Sequence, residues 1–571
     1  MGSNREKSPG KEWYQHMKLT REGITNDKVK WEEAGFELPQ YDIKEVCVRT
    51  GKSPVWVHFG AGNIFRAFQA QVVQELLDKR IMDRGIIAAE GYDYEIIDKI
   101  YHPHDNLGVL VTLKNDGSVD KTVIGSIAEA LCLDSGKEDI DRLKEIFESR
   151  SLQLASFTIT EKGYGLVDGK GHTLTDVAYD MENGPAKPVS YLGKVTSLLY
   201  ARYEAGGSPI AMVSMDNCSH NGDRLYEAVH AFATYWCEKG IIAEGFKEYV
   251  EDSSKVSFPW TMIDKITPRP DDKVKAILED DGVEEIEPII TDKNTYVAPF
   301  VNAEECQYLV IEDSFPNGRP KFSNTLHEGE AGYKENAYKG NGIIFTTRDT
   351  VDKVEKMKVC TCLNPLHTAL AIFGCLLGYE LISQEMNVPC IRKLIEIIGY
   401  DEGLPVVVNP GVIEPKHFLD EVINTRIPNP FMPDSPKRIA TDTSQKMAIR
   451  FGETVKAYLN KDNDLNVADL KGIPIVYAGW LRYLIGIDDK GEKFTLSPDP
   501  MLDNLCPYVK DIKFGDRDIH NKVEPILSNE KIFGVNLYDA GLGELVEKYF
   551  LEMIEGTGAV LETLNRAMYE K

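Results

Sequence analysis

No CxxC pair occurs among the ten scattered cysteines, and Cys360-Thr361-Cys362 has no second pair to complete a zinc site. Cys375 stands in the apolar run Phe373-Gly374-Cys375-Leu376-Leu377, where a thiol serves as a small buried hydrophobe. The start has no apolar signal region, and no unbroken apolar run reaches roughly the 18 residues of a membrane span. These absences predict no structural metal, no membrane, and a reduced cytoplasmic setting. Basic residues are also in deficit: 65 Lys and Arg stand against 91 Asp and Glu, a formal charge of −26. Such a surface repels nucleic acid and anionic lipid, and no basic stripe offsets it. An acidic chain that binds an anionic cofactor needs local devices, namely helix N-termini and a few placed cations. Internal repeats and low-complexity tracts are missing as well.

What is present is globular: 42% hydrophobic and 27% charged residues over 571 positions, too long for one core. Residues 1–50 read as a polar N-terminal extension. From 51 to 343, β-branched runs (Val55–Phe59, Gly85–Glu90, Thr122–Ser126, Leu154–Ile159, Pro209–Ser214) alternate with helical patterns. That alternation predicts an α/β, doubly wound, Rossmann-like domain. The stretch 316–343, rich in Gly, Pro and polar residues, reads as an excursion or linker. From 344 to 571 the apolar spacing turns helical, predicting a mainly α-helical second domain.

Val55-Trp-Val-His-Phe-Gly60-Ala-Gly62-Asn63-Ile64-Phe65-Arg66 reads as a strand, a phosphate-binding turn and a helix start. Gly60 and Gly62 permit a tight turn and close approach to a pyrophosphate, while Phe65 stands where a third glycine is usual. Arg66, a cation in the first turn of a helix, opposes the macrodipole and is explained by an anion docking there. Glu90 closes the next strand, where a ribose-binding carboxylate is expected, which favours NAD over NADP.

Further segments follow in order: Thr158-Ile-Thr-Glu-Lys-Gly-Tyr164, Ser214-Met-Asp216-Asn217-Cys-Ser-His220-Asn221-Gly222, Phe258 through Asp264 to Pro268, Val310-Ile-Glu-Asp313, Lys358 through Asn364-Pro365-Leu366-His367, and Asp442-Thr-Ser-Gln-Lys446. Together with the glycine turn they resemble the polyol-specific long-chain dehydrogenases, a family of mannitol dehydrogenases and hexuronate reductases. The resemblance implies metal-free hydride transfer with NAD. It implies Lys358 as general acid/base, Asn217 and Asn364 as donors to the developing alkoxide, and His367 as a substrate hydrogen-bonding group. It further implies Glu355 as a group for proton passage, Arg438 and Lys446 on distal substrate oxygens, and Asp264 at the substrate.

A lysine works as a base at neutral pH only where burial or a neighbouring cation disfavours its charged form. One residue more than usual separates Lys358 from Asn364, beside Pro365. Two readings are open: a π-bulge, or a new helix that Asn364 caps with Pro365 in its first turn. Asp442-x-x-Gln445 resembles a capping box that places Lys446 near a helix start.

The cations at 438 and 446 could pair with a sugar-acid carboxylate. With the chain's length, they favour reduction of a ketose acid at C2, D-fructuronate to D-mannonate. Fructose/mannitol and tagaturonate chemistry are the alternatives, and a non-catalytic nucleotide or sugar-acid sensor is a remote one.

Overall fold

The computed structural model describes residues 16–322, 340–462 and 464–569. The chain divides into two compact units, one holding residues up to Lys114 and Ser118–Asp352, the other Asn115–Gly117 and Lys353 onward.

The first unit is built on a six-stranded sheet: β1 Trp56–Phe59, β2 Ile86–Glu90, β3 Ile127–Cys132, β4 Leu154–Phe157, β5 Ile210–Ser214 and β6 Val256–Ser257. Every pairing is parallel and the spatial order is β6-β5-β4-β1-β2-β3, the doubly wound order of a Rossmann fold. Side chains alternate faces along each strand, and both faces are covered. Val57, Phe59, Ile87, Ala89 and Phe157 enter one apolar core. Trp56, Ala88, Leu154 and Ala211 enter the other. That is why the strands read as continuous apolar runs. The strand order reverses at β1, between β2 and β4, so the chain leaving β1 emerges at the topological switch point where such sheets bind ligands.

Thr122–Ser126, expected among the parallel strands, belongs elsewhere. Val119–Ile124 forms an antiparallel hairpin with Gly108–Leu113, and Ile127–Cys132 takes the seat in the parallel sheet. Ile127–Cys132 (Ile-Ala-Glu-Ala-Leu-Cys) has one β-branched residue, so composition favours Thr122–Ser126, and the tertiary pairing overrides that preference. The segment read as an N-terminal extension contributes to the unit's fabric from residue 16 on. Phe36–Glu37 pairs with Lys121–Thr122, and Trp31 and Val46 are buried. Of the excursion at 316–343, residues 323–339 lie outside the described residues. Its described ends are anchored, Phe322 packing on Trp56 and Phe345.

The second unit is helical. Helix α1 (Asn364–Leu377) packs on α2 (Gly472–Leu484), all of whose residues are buried. A Cβ at Gly479 would sit 2.6 Å from the Phe373 ring, so that crossing needs glycine. The helical stretch Arg348–Leu377 is long and apolar enough by composition to cross a membrane, although its longest unbroken apolar run, Ala369–Leu377, is far shorter than a span. Of its most apolar window, 78% is buried, as in the central helix of a folded core.

Candidate active site

The glycine turn starts from a position that only glycine can take. Gly60 has φ +110°, and a Cβ there would lie 2.2 Å from the Thr158 carbonyl oxygen, so only glycine lets β1 pass β4 this closely. Gly62 differs: its φ is not positive and nothing lies within 4 Å of a would-be Cβ. Neither conformation nor packing explains glycine at 62. Phe65, at the usual third-glycine position, stacks on His58 at 4.5 Å between ring centroids. The turn after Ile64 opens as a wide π-helical segment, Phe65–Gln69, instead of a tight α-turn. His58 bridges Ser156 and Thr158 through its two ring nitrogens, and burial pushes it down to about 3, so it stays neutral.

Two expectations at this turn are corrected. Arg66 does not present its charge to an anion at the helix start. Its guanidinium is buried, donating to the Ala298 carbonyl at 2.6 Å and to Asn63 Oδ1 at 3.0 Å. Burial lowers its proton affinity, and it secures the turn through Asn63. Glu90 ends β2 where a ribose ligand was expected, yet backbone amides take up its carboxylate: Ala61 at 2.9 Å, Tyr92 at 2.7 Å and Asp93 at 3.0 Å. It clamps β2 to the glycine turn. Gly60, Gly62, Asn63, Glu90 and Arg66 are thus brought together, and Ile64 packs beside them on the core.

At the end of β5, Asp216 is buried and accepts from the amides of Ile159 and Thr160 and from the Tyr164 hydroxyl. The next residue, Asn217, is exposed. Asn221 pins the far side of this loop, its amide nitrogen donating to the Asp216 and Thr261 carbonyls at 2.9 and 3.1 Å. The motif's buried residues therefore shape a loop that presents the Asn217 amide to solvent. Asp264 ends the strand Thr261–Asp264, paired opposite Tyr308, and is buried.

In the second unit the extra residue before Asn364 is absorbed in both ways at once. Helix Arg348–Lys356, which carries Glu355, runs into a π-turn at Met357–Cys362 that carries Lys358. The Leu363 amide closes the wide turn on the Lys358 carbonyl at 3.1 Å. Leu363 then breaks the helix at φ −131°, ψ −63°, and α1 starts at Asn364 with Pro365 in its first turn. Proline lacks the N–H that this junction would leave unused. Lys358 is 5% exposed. In the first turn of α1, Pro365 and Leu366 are buried while Asn364 and His367 keep partial exposure on one face.

The cation cluster also differs from expectation. Asp442 adopts a left-handed backbone (φ +55°) and makes no capping bond, so no capping box forms. Asp499 instead accepts from the Ser444 amide and hydroxyl at 2.7 and 2.5 Å. Arg438 is largely exposed and ion-paired with Asp434. Lys446 donates to the Thr441 carbonyl. Burial, then the neighbouring charge of Arg450, lowers its proton affinity, while Asp442 and Asp499 act in the opposite sense. Arg450, which the sequence reading passed over, donates to the Thr368 hydroxyl at 2.5 Å. That hydroxyl donates to the Asn364 carbonyl at 3.0 Å. Its one sequence signal was the i,i+4 spacing from Lys446. Among the described residues no three His, Cys, Asp or Glu side chains gather as a metal-holding group.

A family model for the mannitol dehydrogenase Rossmann domain matches residues 55–324, and one for the mannitol dehydrogenase C-terminal domain matches 350–553. D-mannonate oxidoreductase of Thermotoga maritima is 52% identical over 553 residues, covering 97% of this chain and 99% of that protein. D-mannonate oxidoreductase of Escherichia coli is 28% identical, covering 78% and 83%. The structure of Pseudomonas fluorescens mannitol 2-dehydrogenase, a ternary complex with NAD and D-mannitol, shares the fold. Its TM-score is 0.65 at 24% identity, covering 97% of this chain and all of that one. The chain belongs to the mannitol dehydrogenase family and is an oxidoreductase acting on CH–OH groups.

Proposed function

We propose that the protein reduces the C2 keto group of D-fructuronate to D-mannonate with NADH, reversibly and without metal. The observation that carries this reading is the 52% identity, over nearly the whole length, with a protein named D-mannonate oxidoreductase. The glycine turn fits a dinucleotide, since Gly62 offers a bare backbone facing open space at the sheet's switch point. Gly60, Gly62, Asn63 and Ile64 would hold the pyrophosphate, with Arg66 and Glu90 bracing the turn. The nicotinamide, when bound, supplies the hydride that goes to C2.

The remaining roles belong to the chain. In reduction the Lys358 ammonium gives its proton to the C2 oxygen as negative charge grows there. In oxidation the neutral amine takes the proton back. Asn217 and Asn364 donate neutral N–H groups to that oxygen, favouring the charged transition state over the ground state. His367 hydrogen-bonds the substrate beside the reacting carbon. Glu355, one turn before Lys358 on the same helix, passes protons between the lysine and solvent. Asp264, Arg438 and Lys446 hold the distal substrate oxygens. The protein acts in the cytoplasm on a small sugar acid.

The test is oxidation of NADH and NADPH against D-fructuronate, D-tagaturonate and D-fructose in parallel, with and without a strong chelator. Preferential NADH oxidation with D-fructuronate, unaffected by chelator, is expected. Predominant activity on fructose overturns the substrate, and loss with chelator overturns the metal-free mechanism.

A further inference from the structure

In the second unit, several cations are ion-paired with carboxylates. Arg392 pairs with Glu396, Lys416 with Asp420, Lys456 with Glu453, Arg566 with Glu552, and Arg438 with Asp434. Lys446 and Arg450 instead each hydrogen-bond a neutral oxygen, the Thr441 carbonyl and the Thr368 hydroxyl, as the buried Arg482 does with the Met553, Ile487 and Asp488 carbonyls. Neither makes an ion pair among the described residues, in a chain with 91 acidic side chains to choose from. The Arg450 amide donates to the Lys446 carbonyl at 3.0 Å, so the two stand one helical turn apart on one side. Two like charges held together and partly withdrawn from water oppose each other's ionisation, an arrangement that an anion relieves.

Their location adds the second argument. Through Thr368, Arg450 is tied to the turn of α1 that carries Asn364 and His367. A guanidinium has five N–H donors in a planar fork. With one arm on Thr368, others remain for a bidentate contact that a carboxylate matches.

We infer that Lys446 and Arg450 form the subsite for the substrate's carboxylate, and that Arg450 is the residue that distinguishes a ketose acid from a neutral ketose. Arg438 is held by Asp434 and is left to the hydroxyls. The inference rests on the proposed ketose-acid chemistry and names the side chains that select it.

The test is calorimetric binding of D-mannonate and of D-mannitol, in the presence of NADH, to the wild type, Arg450→Met, Arg450→Lys and Thr368→Val. Arg450→Met is expected to lose about 10- to 100-fold affinity for D-mannonate, the worth of a charge-assisted contact, and to bind D-mannitol as before. Arg450→Lys should keep part of the preference. Thr368→Val should leave the mannonate-to-mannitol ratio unchanged. Equal losses for both ligands in Arg450→Met would mean that the arginine only braces the Asn364 turn, and would overturn the assignment. So would unchanged D-mannonate binding, or a wild type that does not prefer D-mannonate. If Arg450→Met does not fold, the same criteria apply to Arg450→Lys, where an undiminished preference overturns the assignment. A wild type that binds D-mannonate through Arg450 but does not reduce D-fructuronate refutes the proposed reaction and keeps the subsite. Full D-fructuronate turnover in Arg450→Met does the reverse.

Discussion

Two glycines two residues apart have different reasons to be glycine, and alanine at each separates folding from cofactor binding. At position 60 a methyl group meets the Thr158 carbonyl oxygen at 2.2 Å, on a backbone with φ +110°. The left-handed backbone costs about 1–2 kcal/mol for an L side chain. The overlap adds about 1–3 kcal/mol, because β4 cannot retreat from a packed sheet. Gly60→Ala should therefore lose about 2–5 kcal/mol of stability and bind NADH weakly as a consequence. At position 62 the same methyl group meets nothing within 4 Å. Gly62→Ala should unfold no more easily than wild type, with a gain of up to about 1 kcal/mol from a stiffer unfolded chain. On the proposed cofactor reading, its methyl group stands where the pyrophosphate approaches the backbone. Losing one amide contact to a charged oxygen lowers NADH affinity about 10- to 100-fold. Urea unfolding and NADH fluorescence titration of both variants provide the readouts. A Gly62→Ala protein that is as stable as wild type and binds NADH equally well would refute the assignment of this turn to the cofactor.

Three other expectations concern buried ionisable groups. Glu385 is fully buried with no hydrogen-bond partner for either oxygen among the described residues, and burial holds its carboxyl well above the usual range. The unfolded chain ionises there first, so this group's contribution is lost as pH rises above the ordinary carboxyl value. Glu385→Met should stabilise the protein by about 1–3 kcal/mol at neutral pH in urea unfolding, and a loss would contradict the reading. His58 shifts the other way, its folded value near 3 lying below 6.5 for the unfolded chain. Stability should fall with pH below 6.5, by about 2 kcal/mol at about pH 5, and this component should be absent from His58→Asn. Glu402 caps the start of α2, accepting from the amides of Lys471, Gly472 and Ile473. Glu402→Ala should cost about 2–4 kcal/mol, read as an earlier urea midpoint.

The doubly wound domain was legible because a parallel sheet covered on both faces writes itself as short β-branched runs between helical patterns. The glycine turn was legible because its spacing is local. What escaped depends on contacts distant in sequence. Arg66 turns inward because Ala298, more than 200 residues later, offers it a carbonyl. The Ser444 turn is capped from Asp499, so the local Asp442 signal misled. Ile127–Cys132, with one β-branched residue, carries little β propensity, and its seat in the parallel sheet is decided by tertiary pairing while Val119–Ile124 pairs with Gly108–Leu113. The surplus residue before Asn364 was countable in sequence, and the structure resolves it as a π-turn followed by a fresh helix start. Arg450 acquires a role only once Thr368 is seen beneath it.

The central claim is a lysine-driven reduction of a ketose acid. It is tested most directly by the initial rate of NADH oxidation with D-fructuronate for wild type and Lys358→Ala side by side. The account expects a turning-over wild type and a variant at least about 100-fold slower with undiminished NADH affinity. An inert wild type, or a variant within a few-fold of it, would contradict the account.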